Sequence, residues 1–226
     1  MRFDTFKGLM DLSEEDMYRD LFVQNREEIQ IKKEKTAIKN LALIFDAALF
    51  ISNEKGFSSM SLRDLSAKTG LSMGAMYSYI SSKDKLLDMM HQYGRSMVLK
   101  VLIESLDGID DPKKQLETTI QTHLYLSEFM QPWFYFSYME TKNLHKDLHK
   151  KAIESELFTE QIFVDIMEKG ISKQIFHRVD ARLTASLLKA MLQDWYLKRW
   201  KYKDRGVKVE EYSDFVIDIL SSYLYF

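Results

Sequence analysis

From Ile38 the apolar positions fall at Ile38, Leu41, Ala42, Phe45, Ala48 and Leu49, the i, i+3, i+4, i+7 rhythm of a helix with one buried face. The rhythm predicts a helix over 35–54, stopped by Gly56 in NEKGF. SSMSLRDLSAKTG then opens on serines suited to an N-cap, sets Leu62, Leu65 and Ser66 or Ala67 on one face, and closes at Gly70. Ser72 caps a third short helix over 73–79, and Ser82 followed by Lys85, Leu86 and Leu87 opens a fourth. Two short helices joined by TGLS read as a helix-turn-helix.

The pattern continues on both sides. Upstream, Ser13 is a plausible cap for a helix carrying Met17, Leu21 and Phe22. Downstream, Pro112 starts one helix, Pro132 ends it and opens the next, and another runs over about 152–169 to Gly170. Ala181 to about Tyr202 and Glu210 to Tyr225 form an antiparallel pair joined by KDRGVKV. With only 8 Gly and 2 Pro, turn chemistry is scarce, and the fold class expected is all-α.

Composition narrows the chemistry. The 46% hydrophobic and 29% charged content suits a globular chain, and the absence of Cys excludes disulfides, thiolate metal sites and thiol nucleophiles. No signal-peptide run opens the sequence, and no stretch approaches the roughly 20 apolar residues of a membrane span, so the expected location is the cytoplasm. The net charge of -2 hides an asymmetry: residues 1–31 carry four basic and eight acidic side chains, residues 32–91 nine basic and six acidic. Lys32, Lys33 and Lys35 at the junction either reach along a DNA backbone or are simply solvated. No Gly-x-Ser-x-Gly elbow, nucleotide-binding glycine loop or zincin motif is present, so no catalytic residue and no cofactor are expected. His145 and His149 share a metal-compatible spacing but lack a third ligand, and read as exposed histidines.

The stretch GLSMGAMYSYISSKDKL, residues 70–86, is too poor in long apolar side chains for a core helix. Leu71, Met76 and Ile80 can point inward, leaving Ser72, Gly74, Ala75, Tyr77, Ser78 and Tyr79 outward. Small residues permit close approach to a groove, while tyrosine hydroxyls and the Lys83 ammonium are donors for phosphate oxygens.

IKNLALIFDAALFISNEKGFSSMSLRDLSAKTGLSMGAMYSYISSKDKLLDMM resembles the DNA-binding domain of the tetracycline-repressor (TetR) family of bacterial regulators. The shared features are the Gly-aromatic end of the first helix, the Ser opening the second, the Gly-aliphatic-Ser turn, the small residue before hydrophobic-Tyr, and Ser-Lys followed by Leu. The resemblance covers about a quarter of the chain and implies a three-helix DNA-binding domain at 32–91 and an effector-binding and dimerisation domain at 92–226; residues 1–31 exceed what the family usually places before its first helix and read as an N-terminal helical extension. It further implies that Ser61 caps the second helix and touches phosphate, that Arg63 makes a base or backbone contact, that Met73, Gly74 and Ala75 lie at the groove beside the outward Ser72, and that Tyr77, Tyr79 and Lys83 hold phosphates. The copy departs from the family at Met73, where a polar residue is usual, and at Ile80, where Phe is usual; Met73 either meets thymine methyls or tucks against its own domain.

The resemblance implies a homodimer on a palindromic operator, released by a small effector, with no membrane partner. The last two helices carry wide apolar faces, and Leu187, Met191, Phe215, Val216 and Ile219 are the expected dimer contacts. HLYLSEFMQPWFYFSYM is dense in aromatics, so Tyr125, Phe129, Trp133, Phe136, Tyr138 and Trp195 are the expected walls of a chamber for a hydrophobic effector. Trp200 is a further stacking candidate, and Lys198, Arg199 or Lys201 would suit an anionic head group, a combination that fits an acyl-coenzyme A. A helical dimer that has lost specific DNA affinity is the competing reading.

Overall fold

A computed structural model of the chain describes residues 1–144 and 146–225, and the side chains of Asp11, Leu12, Ser13 and Asn143 are outside that description. Among the described residues the regular structure is helical: α1 Phe3–Gln24, α2 Glu34–Lys55, α3 Leu62–Thr69, α4 Met73–Tyr77, α5 Lys83–Glu104, α6 Pro112–Phe129, α7 Gln131–Glu140, α8 Lys146–Ser172, α9 Ala181–Leu197, α10 Arg199–Asp204 and α11 Val209–Leu224. The one β-type contact among them is an isolated bridge between Phe176 and Tyr225. The all-α reading therefore stands.

Three local expectations need correction, and a fourth lies outside the described residues. Ser13 lies inside α1, which starts ten residues earlier at Phe3. The helix expected to begin near 152 begins at Lys146 and runs past Gly170 to Ser172, because that glycine has ordinary helical backbone and is needed for a different reason. Its missing Cβ is where the Phe176 ring sits, 2.2 Å from the ideal position. The helix expected to reach Tyr202 breaks at Lys198 (φ -119°, ψ 36°), dividing it into α9 and α10. His145, half of the proposed histidine pair, is outside the described residues.

The chain forms two compact units. The first takes in residues 8–97 and 135–149. At its centre Tyr18 of α1 stacks on Tyr93 of α5 at 4.5 Å, and Phe45 of α2 meets both rings edge-on at 5.8 Å. Burying each such ring stabilises the unit by about 1.5–3 kcal/mol. Contrary to expectation, α2 is long and apolar enough to cross a membrane by length and composition. It has instead the surface of a core helix, since Ala37, Ile38, Leu41, Ile44, Phe45, Ala48 and Ile51 are buried in this unit. Residues 135–149 complete it: Glu140 accepts the Phe57 main-chain N–H at 3.2 Å, and the Phe136 ring lies 5.8 Å from both Phe57 and His91.

The second unit comprises residues 1–7, 98–134 and 150–226. Here α6 packs against both α9 and α11. Phe3 and Phe6 meet the Tyr125 ring at 5.5 and 5.7 Å, and the Tyr125 hydroxyl donates to the Met1 carbonyl at 3.0 Å. Trp195, Tyr202 and Tyr212 form a second aromatic cluster, with centroids 4.8–5.0 Å apart.

Candidate nucleic-acid interface

The turn that presents α4 is fixed by local chemistry at three points. Ser61 and Asp64 form a reciprocal cap, Asp64 N–H donating to Ser61 Oγ at 3.2 Å and Ser61 N–H to Asp64 Oδ2 at 2.8 Å. The Ser61 N–H, joined by the Lys55 ammonium at 3.0 Å, holds the Asp64 carboxyl down to about 2. Gly70 ends α3 in the left-handed region (φ 73°), which a side chain would oppose, and its N–H returns to Ser66 O at 3.0 Å. Ser72 then caps α4, accepting from Ala75 N–H at 3.2 Å.

The result is a short helix held at its back by fully buried Met76 and followed by buried Ile80. Ser72 and Gly74 are exposed, Met73 and Ala75 half-buried, Tyr77 is 52% exposed, and Arg63 projects from α3 into solvent. Small and polar atoms therefore form the outer surface, with one guanidinium and one phenol beside them.

Two expected phosphate contacts are placed differently. Tyr79 is only 2% exposed, and its hydroxyl accepts from Asn40 Nδ2 at 2.7 Å, so it fastens α4 to the start of α2. Two positions apart on a helical turn that Ser78 continues (φ -75°, ψ -12°), residues 77 and 79 face opposite ways. Lys83 donates to the carbonyls of Ser58 and Met60 at 2.7 and 3.1 Å, with Phe57 5.1 Å below its ammonium. Those oxygens belong to the loop before α3, so Lys83 secures the approach to Ser61. A contact the sequence pattern gave no sign of lies at Gln30, whose N–H donates to Ser78 O at 2.9 Å and draws the α1–α2 connection against the end of α4. Lys32, Lys33 and Lys35 beside it are exposed, while the intervening Glu34 is engaged by Arg19 at 2.9 Å.

The second unit carries the other expected sites, with further corrections. Tyr125, Trp133 and Trp195 are buried and Phe129 half-buried there, but Phe136 and Tyr138 belong to the first unit, and Tyr138 is 51% exposed. The six residues are thus divided between the two units, four in the second and two in the first. The cations expected to meet an anionic head group are already paired: Lys198 and Lys201 with Asp194, Arg199 with both oxygens of Glu128 at 2.7 and 2.9 Å. Trp195 donates to the same Glu128, and Trp200 stands exposed.

On α9 and α11 the apolar surface is real but shifted. Leu183 and Leu187 on α9 and Phe215, Ile219 and Tyr223 on α11 are exposed at helical spacings of four, and the Tyr212 hydroxyl donates to Met191 O at 2.7 Å to join the two helices. Met191 is half-buried. Val216 is 1% exposed and belongs to the core of its own chain, one residue round the helix from the open stripe.

A capped two-helix turn with small residues outward, joined to a larger helical unit, is the architecture of a helix-turn-helix regulator. The chain belongs to the tetR family of bacterial regulatory proteins: that family's N-terminal model matches residues 44–90, and the tetracyclin repressor-like C-terminal domain matches residues 110–224. Solved structures share the fold. The TetR family transcriptional regulator PfmR of Thermus thermophilus is 24% identical with a TM-score of 0.71, over 80% of this chain and 97% of its own. FadR of Bacillus subtilis, a transcriptional regulator in complex with stearoyl-CoA, is 20% identical with a TM-score of 0.63, over 79% and 96%. AibR, in complex with isovaleryl coenzyme A and operator DNA, is 15% identical with a TM-score of 0.70, over 79% and 96%. No curated protein sequence matches the chain.

Proposed function

We propose that this regulator is a cytoplasmic, homodimeric repressor that binds a palindromic operator and releases it when a hydrophobic, acyl-bearing effector occupies the second unit. The observation carrying the DNA reading is the exposed outer surface of α4 and its neighbour Arg63, held by the Ser61, Gly70 and Ser72 caps. Arg63 reads a base edge, guanine being the best match for its fork; Tyr77 and the lysines at 32, 33 and 35 meet phosphates; Gly74 and Ala75 allow the close approach.

Dimerisation follows from the stripe on α9 and α11, since two copies related by a twofold axis would cover each other's Leu187, Phe215 and Ile219. Such a dimer sets two recognition helices roughly 34 Å apart, one turn of DNA. An effector changes operator affinity only by binding two conformations unequally. The path offered by the chain is α5, whose first turn follows the recognition segment and whose last residues belong to the second unit. Acyl-coenzyme A ligands of FadR and AibR support the effector class, as do the buried aromatic side chains of that unit.

The test is fluorescence anisotropy with duplexes from the DNA flanking the coding gene, followed by titration of long-chain acyl-coenzyme A into the preformed complex. One fragment should bind at least roughly a hundredfold tighter than random duplex, and the acyl compound should release it. Equal affinity for all fragments would reject the regulator role, whereas selective binding without release would reject only the effector.

A further inference from the structure

Within the second unit, α6, α8 and α9 each turn a polar side chain into the interior: His123, Thr159 and Lys189, all buried. Of the other buried hydroxyls in this unit, Ser127 donates to Leu124 O and Thr184 to Asp180 O, while Ser213 on α11 has no partner. His123 and Lys189 are different. The His123 Nδ1 is buried with no partner beyond its own main chain. The Lys189 ammonium donates to Thr159 Oγ1 at 2.8 Å and lies 3.3 Å from Glu156, which is 46% exposed and also accepts from Gln193. The next carboxylate, Glu160, accepts from Ser186.

Two basic groups are thus buried in one unit, on the packed helices α6 and α9, and the carboxylate paired with Lys189 sits half in water. Burial, followed by the Lys189 charge, pushes the imidazole well below its ordinary range, and burial likewise lowers Lys189 against the pull of Glu156. An ion pair alone does not account for this arrangement. Apolar residues of similar volume would be as stable as a buried Lys–Glu pair, and nothing in that pair requires an imidazole with an open nitrogen. Apolar surface adjoins the polar centre: the Phe134 ring is 5.8 Å from His123, with Trp133 and Tyr196 5.2 and 5.1 Å from Phe134.

We propose that the effector is an apolar carboxylic acid, its carboxylate received by Lys189 and His123 and its hydrocarbon part by the Phe134, Trp133 and Tyr196 rings. The inference rests on the effector-responsive reading above and narrows it from acyl compounds in general to the free acid. A carboxylate accepts from the Lys189 ammonium and from an imidazole N–H, taking over from Glu156 as the counter-charge, whereas a thioester carbonyl or an alcohol offers no charge. On binding, the ligand displaces Glu156 from Lys189 toward water, where its half-exposed side chain is readily solvated.

The experiment titrates decanoate and palmitate, their alcohols, and their coenzyme A thioesters into the full-length protein, read by tryptophan fluorescence and by release of operator. The acids should bind at least roughly tenfold tighter than the alcohols. Lys189→Met should weaken acid binding roughly tenfold to a hundredfold, the loss of a charged hydrogen bond. Glu156→Gln should tighten it severalfold, because the competing carboxylate is gone. A purely structural ion pair would make both substitutions act in the same direction, so the opposite signs are decisive, and Glu156→Gln suffices if Lys189→Met does not fold. Equal binding of acid and alcohol, or substitutions acting alike, overturns the proposal. Release by the thioesters alone overturns it while leaving the effector reading intact, and binding of no acyl compound ends both.

Discussion

Tyr77 and Phe215 are exposed to similar degrees, 52% and 62%, yet they sit on surfaces of opposite character. The other exposed groups of the turn that carries Tyr77 are Ser72, Gly74 and, on α3, Arg63, small or polar groups that give up little by meeting water and could meet a phosphate-lined groove. On α11, Phe215 is followed one and two turns on by exposed Ile219 and Tyr223, and α9 exposes Leu183 and Leu187, apolar surface that water wets at a cost. Exposure alone says nothing about a partner. The side chains sharing the surface say whether the partner is charged and hydrated or another apolar face.

The largest effect should come from setting the two surfaces against each other. Phe215→Glu places a charge where the stripe must be desolvated, and analytical ultracentrifugation should show monomer. Operator affinity should fall by roughly a hundredfold or more, although nothing near α4 has changed, because paired half-sites are lost. A soluble dimer of full affinity would assign the stripe to some other partner. Arg63→Ala probes the opposite surface: it should cost about 1–3 kcal/mol of operator binding, relax preference at one base position, and leave the dimer intact. A uniform loss across all sequences would make Arg63 a phosphate contact. The smallest effect belongs to Lys83→Ala, which removes the donor to Ser58 and Met60 and should lower stability to urea by about 1 kcal/mol. Its salt dependence of DNA binding should change by less than about one unit of slope. A full unit of flattening at unchanged stability would mean that the ammonium leaves those carbonyls for phosphate.

What could be read from the sequence divides along the same line. Ser61, Gly70 and Ser72 act on residues three or four positions away, so their caps were visible as local spelling. Tyr79 and Lys83 take partners, Asn40 and Ser58, from 39 and 25 residues away, a distance no periodicity encodes. Val216 and Phe215 are adjacent and similarly apolar, and only the packing of α11 against α6 decides which of them is covered. The break at Lys198 carries no glycine or proline to announce it. His123 and Lys189 were passed over for a related reason: a single histidine and a single lysine on amphipathic helices look like surface residues until α6, α8 and α9 are brought together.

Phe57 is covered by Phe136 and its N–H is taken by Glu140, and this has a bearing on how such regulators can be recombined. A reading head cut from the chain at residue 97 would carry that ring bare and that amide unsatisfied, since the segment 135–149 would be left behind. The head is therefore not a cassette. A chimera that gives this operator preference to a new sensor must carry the 135–149 patch across with it, or the sensor must bring an aromatic and a carboxylate of its own to the same place. Natural shuffling of heads and sensors meets the same constraint, which would favour exchange between chains that already carry a matching pair at those positions.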